Sequence, residues 1–216
     1  GAALGRPAAS VLGEVLLAAS SRGDVVQVQG ILEHTEAAER EDGSLAVWEL
    51  ISVKDPERSR TPLHCAARHG HVEVCAMLLS RRADIHAREG CGATPLAVAS
   101  LHGHRSTVRC LLQQRARPEL GDQKGRNAFH LACCSDPEIV CYLLQACPRV
   151  VLSKDANDRN ALYYAMGNAH EESKIGVLRL LLDRKCSASE ADALGHPPLF
   201  YAVQAGDVDV VALMLQ

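Results

Sequence analysis

Ten histidines and nine cysteines fall within 216 residues, enough donors for a zinc site or a thiolate nucleophile if their spacing allows one. The cysteines, Cys65, Cys75, Cys91, Cys110, Cys133, Cys134, Cys141, Cys147 and Cys186, include no Cys-x-x-Cys pair. His69 with His71, and Cys133 with Cys134, lack the Cys-x₂₋₄-Cys or i,i+4 histidine geometry that holds zinc. A Cys–His nucleophile needs only proximity in space, so spacing leaves that option open. Gly90-Cys91-Gly92 reads as a turn and not as a glycine-rich phosphate loop. One tryptophan, two phenylalanines and four tyrosines give few platforms for stacking nucleobases. The sequence therefore points to no catalytic, metal or cofactor site.

The positions of these residues follow a different rule. Thr61-Pro62-Leu63-His64 recurs as Thr94-Pro95-Leu96-Ala97, Asn127-Ala128-Phe129-His130 and Asn160-Ala161-Leu162-Tyr163, each 33 residues after the last. A further copy, Pro197-Pro198-Leu199-Phe200, follows 37 residues on. Paired leucines keep the register at Leu78-Leu79, Leu111-Leu112, Leu143-Leu144 (one residue early) and Leu181-Leu182, with Met214-Leu215 in that place at the end. A degenerate first copy runs from Glu14-Val15-Leu16-Leu17 through Gly23 to Ile31-Leu32. Six copies result: 12–32 with a long connector at 33–60, then 61–93, 94–126, 127–159, 160–196 and 197–216, read as one domain over 1–216. Such a period is the signature of small units that stack because none can bury its apolar face alone.

Each residue type in the unit has a mechanical role. Thr61 caps a helix, and Pro62 fits its first turn, where the missing N–H has no intrahelical partner anyway. Leu63, Ala66 and Ala67 give a narrow face that lets neighbouring helices approach closely. Gly70 ends that helix in the left-handed conformation, as Gly23, Gly103 and Gly206 do in theirs. His71-Val72-Glu73-Val74 starts a second helix whose Val74, Leu78 and Leu79 face the stack. Ala83 to Gly92 is a turn-rich connector suited to an extended hairpin. His64 and His130 brace the cap, and His71 and His104 mark the start of the second helix.

At this point the chain resembles the ankyrin repeat family, through the Thr-Pro-Leu-His tetrapeptide, the pairs Gly70-His71 and Gly103-His104, the double leucines and the period. The resemblance covers about residues 14 to 216. It implies an all-α repeat solenoid of helix–turn–helix units with β-hairpin fingers, and a concave, protein-binding face made of finger tips and first helices. Carried onto this chain, the partner-binding positions include Arg58, Arg60, Arg68 and His69 in the second copy, and Leu101 and His102 in the third. The later copies supply Lys124 and Arg126, then Asn157, Arg159 and Asn168, then His196 and Gln204. Arg58, Arg60, Arg68, Lys124, Arg126 and Arg159 outnumber Glu57 there, although Glu89, Asp122, Asp155 and Asp192 lie nearby to offset part of that charge. The expected ligand is thus a partner protein or an acidic or phosphorylated peptide gripped by arginines. The alternative is a substrate-recruiting or regulatory segment of a larger enzyme such as a ubiquitin ligase, kinase or acyltransferase. Leu78 and Asp84-Ile85-His86 also resemble the hairpin pattern that asparaginyl hydroxylases recognise, with His86 where asparagine usually stands.

Composition agrees with a folded, non-enzymatic interaction module. Apolar residues make up 47% and charged residues 23%, which excludes bulk disorder, and aromatics at 3% suit many small layers better than one large core. A formal charge of −3 argues against a nucleic-acid or anionic-membrane binder, and no run reaches the length of a membrane span. The opening stretch outlines a secretory signal, but Glu14 interrupts it and the repeat register claims it. Nine unpaired cysteines then place a monomeric chain in the cytoplasm or nucleus.

Three departures from the pattern stand out. Residues 33–60 exceed the period and surround Leu45-Ala46-Val47-Trp48-Glu49-Leu50-Ile51, so this enlarged finger either docks a partner through Trp48 or folds back to cover the stack. The fifth copy has extra length near His170-Glu171-Glu172-Ser173, expected to be a longer turn. The fourth replaces the helix-ending glycine with Asp136-Pro137, and Pro137 is expected to start the next helix. Val208, Val211 and Leu215 are expected to face outward, as in a piece excised from a longer protein.

Overall fold

The computed structural model describes residues 6–41, 46–168 and 171–216. These form two compact units, residues 1–116 and 117–216. Unit 1 holds α1 (Arg6–Arg22), α2 (Val25–Glu41), α3 (Val47–Ile51), α4 (Pro62–His69), α5 (Val72–Ser80), α6 (Pro95–Leu101) and α7 (Arg105–Gln113). Unit 2 holds α8 (Ala128–Cys133), α9 (Pro137–Ala146), a 3-10 turn (Pro148–Leu152), α10 (Ala161–Ala165), α11 (Glu171–Asp183), α12 (Pro198–Ala205) and α13 (Val208–Met214). Within each unit like packs on like: α4 lies between α1 and α6, α5 between α2 and α7, α10 between α8 and α12, and α11 between α9 and α13.

The small first-helix residues make this stacking close. Ala66, Ala67, Ala99, Ala132 and Ala165 are wholly buried, beside Leu63, Leu96, Phe129 and Leu162. The second helices contribute Val74, Leu78, Val108, Leu111, Val177 and Leu181. Proline or a capping side chain starts the helices as the tetrapeptide predicts. Thr94 Oγ accepts from Ala97 N–H, and Asn127 Oδ1 accepts from His130 N–H at 3.1 Å. Asp136 caps α9 through Glu138 N–H at 2.8 Å, with Pro137 as its first residue.

Two expectations need correction. No strand is formed among the described residues, so the fingers are tight turns and not β-hairpins. Each is closed by a pair of backbone hydrogen bonds, such as Asp122 N–H to Arg126 O at 2.8 Å with Gly125 N–H to Asp122 O at 2.9 Å, and Asp155 N–H to Arg159 O at 3.0 Å with Asp158 N–H to Asp155 O at 3.1 Å. Nor do residues 33–60 make a long finger. Instead α2 continues to Glu41, and α3 buries Val47, Leu50 and Ile51 against α1 and α2. Trp48, on the opposite side of that turn, stays 63% exposed. The extra length of the fifth copy goes partly into α11, which has 13 residues where α5 and α7 have 9; His170 itself lies outside the described residues. Val208 and Leu215 are exposed, while Val211 is half-buried.

Candidate partner-binding surface

The histidines of the repeat are spent on backbone groups. As third residue of its helix, His64 reaches back to the cap: Nδ1 lies 3.3 Å from Thr61 N–H, so it accepts there, and Nε2–H donates to Ala93 O at 3.1 Å. His130 repeats the arrangement with Asn127 N–H at 3.2 Å and Ser153 O at 3.1 Å. Burial pushes both imidazoles below their ordinary pKa, against the pull of those carbonyls. Tyr163 takes this place in the fifth copy and donates its hydroxyl to His196 O at 2.6 Å. His71 Nε2 reaches Ser21 O at 3.0 Å, and His104 Nε2 reaches Arg68 O at 2.8 Å, each tying one copy to the copy before it. The preceding copy must carry glycine for this: a Cβ at Gly23 or Gly70 would lie 2.4 or 2.7 Å from the imidazole.

The buried thiols are equally structural. Burial raises the Cys75 pKa to about 12, that of Cys65 and of Cys186 to about 11, and that of Cys133 well above the usual range. Protonated thiols of this kind are poor nucleophiles. Among the described residues no three His, Cys, Asp or Glu side chains converge as a metal site would require.

The fingers are organised by carboxylates that the sequence reading counted only as charge. Asp122 Oδ1 accepts from Lys124 and Arg126 N–H, both at 2.9 Å, and Asp155 Oδ1 accepts from Asn157 and Arg159 N–H at 2.8 and 2.9 Å. Asp192 does the same for Leu194 and His196, and its other oxygen receives the Tyr201 hydroxyl at 2.8 Å. These finger acids also engage the arginines. Arg60 Nε pairs with Glu89 at 2.7 Å, Arg126 holds Asp122 through Nε and Nη2 at 2.9 and 2.7 Å, and Arg159 Nε lies 3.4 Å from Asp192. Three of the six expected cations thus already have a carboxylate.

The remaining candidates divide by unit. In unit 1, Arg58 stands exposed at a finger tip, Arg68 is half-buried, and His69, Leu101 and His102 are exposed. Desolvation, then Arg68, lowers the pKa of both His69 and His102. In unit 2, Lys124, Asn157 and Gln204 are exposed, and His196 stacks on Phe200 at 4.1 Å. Asn168 does not belong with them. It is 3% exposed and donates from Nδ2 to Cys133 O at 3.3 Å, so it packs the interior rather than facing a partner. His86 is half-buried in the turn after α5, its N–H bonded to Asp84 at 2.9 Å.

Helix pairs repeated in register, with carboxylate-locked turns and first-helix positions left open to solvent, define a repeat protein of the surface-recognition class. A model of ankyrin repeats in many copies matches residues 36–79 and 63–112, and a single-repeat model matches 124–155, together just over half the chain. The chain belongs to the ankyrin repeat family. An ankyrin repeat protein of Fowlpox virus (strain NVSL) is 26% identical over 165 residues, 76% of this chain and 89% of the viral protein. A protein of Oryza sativa subsp. japonica named as an E3 ubiquitin-protein ligase is 35% identical over 85 residues, 39% of this chain and 14% of that protein. Among solved structures, the ankyrin repeat protein EF0377 aligns with a TM-score of 0.75 at 23% identity, over 94% of this chain and 96% of that one. A chain from the complex of the Bdellovibrio bacteriovorus predatory endopeptidase Bd0816 with immunity protein Bd3460 aligns with a TM-score of 0.74 at 18% identity, over 93% and 96%. At these identities the structural likenesses concern the fold alone. Ankyrin repeats are in general protein–protein interaction modules.

Proposed function

We propose that this protein binds a partner protein through its finger tips and the exposed side of its first helices, and that the partner segment is acidic or phosphorylated. One observation carries the reading: Arg58 and Arg68 in unit 1, and Lys124 in unit 2, occupy those positions without a carboxylate within ion-pair distance among the described residues. The depressed pKa of His69 and His102, due after desolvation to Arg68, supports a positive potential in unit 1. Arg60 and Arg126, paired at 2.7 Å, act chiefly as finger braces. All nine cysteines are unpaired, the state a reducing compartment maintains, so the cytoplasm or nucleus is the place proposed for it.

The test is affinity capture from lysate at low and high salt, with wild type beside Arg58→Glu/Arg68→Glu and Lys124→Glu baits checked for folding. Partners lost from the reversed baits, and lost from wild type at high salt, support the acidic ligand. Identical partner sets on all baits at both salts refute it. A second reading, a recruiting segment within a larger enzyme, is favoured by the match to the rice protein. It predicts that ligase components co-purify with the full-length protein.

A further inference from the structure

A cavity of about 290 Å³ opens in unit 2 among α10, α11, α12 and α13. Two small residues create it. Gly167 stands where other copies carry Arg68, Leu101, Cys134 and Gln204, and Ala205 where they carry His69, His102, Ser135 and Asn168. Met166, Ala202 and Val210 add apolar lining. The Tyr163 and Tyr201 hydroxyls are tied to His196 O and to the Asp192 carboxylate, so both rings are fixed in place. At the mouth, the Arg159 guanidinium lies 6.0 and 5.8 Å from the two ring centroids. Its side chain is 37% exposed, whereas that of Asp192 is 1% exposed, so the charge offered to an incoming group is that of the cation. The other charges on the wall, Lys174 and Asp207, satisfy each other at 2.9 Å.

We propose that this cavity takes one apolar side chain, of leucine to phenylalanine size, from a partner polypeptide, and that Arg159 pairs with a carboxylate next to it in the partner's sequence. The inference rests on the protein-binding reading above and names the chemistry recognised. A polypeptide fits better than a small metabolite because the Tyr201 wall continues into an apolar ledge. His196 stacks on Phe200, which is 43% exposed, and Leu194 on the adjoining finger is 70% exposed. Chain on either side of the anchor has somewhere to lie.

Selection of short random peptides displayed on phage tests this, with wild type as bait and Gly167→Leu as counter-bait. A Cβ at residue 167, which lines the cavity, meets only Tyr164 O, at 3.4 Å, so a side chain can be added there without backbone strain. Ala205→Leu fills the same space from α12 and guards against a fault peculiar to either variant. The expected result is enrichment of an apolar residue beside Asp or Glu. Both filled variants should weaken those peptides about tenfold or more. Arg159→Gln should weaken the acidic peptides but not their Asn or Gln versions, and ¹³C-methyl NMR should shift the Met166 signal on peptide addition. Peptides that bind the filled variants as tightly as wild type overturn the cavity while leaving protein binding intact. No enrichment of apolar–acidic pairs on wild type overturns the proposal as well, and only an empty lysate capture would extend that failure to the general reading.

Discussion

Replacing His64 with leucine removes every hydrogen bond of a fully buried imidazole while keeping an apolar group of similar bulk. The Thr61 N–H, in a residue 5% exposed, loses its partner, while the Ala93 carbonyl keeps the Glu89 N–H at 3.1 Å. A stranded buried group costs about 1–3 kcal/mol, so the variant should lose about that much. That is a large part of the ~5–15 kcal/mol that holds a typical domain folded. At about 2–4 °C per kcal/mol for a chain of this length, Tm should fall by roughly 2–12 °C. A pH series adds an independent arm. Burial holds the His64 pKa below the ordinary 6.5, so the unfolded chain takes up the proton first as the pH falls. The stability His64 contributes is complete above about pH 6.5 and drains away as the pH drops through its lowered folded value. Wild type should therefore be weaker at pH 5.5 than at pH 7.5. His64→Leu should show a smaller difference, with His130, His69 and His102, whose pKa values are also lowered, contributing to what remains. Urea unfolding followed by circular dichroism at both pH values measures this. A loss under ~1 kcal/mol, or a pH difference equal to that of wild type, would refute the reasoning.

The glycine–histidine tie separates backbone strain from contact. Gly70→Ala should cost at least about 1 kcal/mol more than Gly103→Ala in thermal unfolding, because both sites have positive φ but only Gly70 abuts an imidazole. Lys174→Met should raise the Asp207 pKa toward its ordinary value in a carboxyl NMR titration, since the Lys174 hydrogen bond is the chief cause of its depression. The stability linked to that pair is present above the unfolded carboxylate pKa and is lost as pH falls below it. Alkylation mapped by mass spectrometry should modify the exposed Cys91 and Cys141 well before Cys75 and Cys133, which are buried and held protonated. Trp48, the only tryptophan and 63% exposed, should be quenched by iodide in the free protein, with Trp48→Ala nearly neutral for stability (about 0.5 kcal/mol or less).

The helix pairs were legible in the sequence because their determinants are local. Thr-Pro at a helix start, glycine at its end, alanine on one face and paired leucines on the next helix act within one repeat, and repetition makes the pattern visible. The same logic places His64 and His130 as braces, since the cap they serve is three residues away. Residues 33–60 were not legible in this way. They carry no repeat register, and only packing against α1 and α2 decides that Val47, Leu50 and Ile51 turn inward while Trp48 turns out.

The sequence by itself determined which positions carry cations; the tertiary structure decided which of those cations remain available to a partner. Arg60 meets Glu89, and Arg159 meets Asp192, across 29 and 33 residues, distances closed only when adjacent fingers stack, and of the two it is Arg159 that keeps its side chain 37% exposed. Asn168 shares a repeat position with the exposed His69 and His102, yet the altered helix end of the fifth copy buries it against Cys133. The cavity beside it has the same origin. A glycine and an alanine look unremarkable in their own copies, and they become an opening only when α10 and α12 bring them together. Helix formation depends on nearest neighbours in the chain, whereas charge pairing and empty volume depend on which copies become neighbours in space.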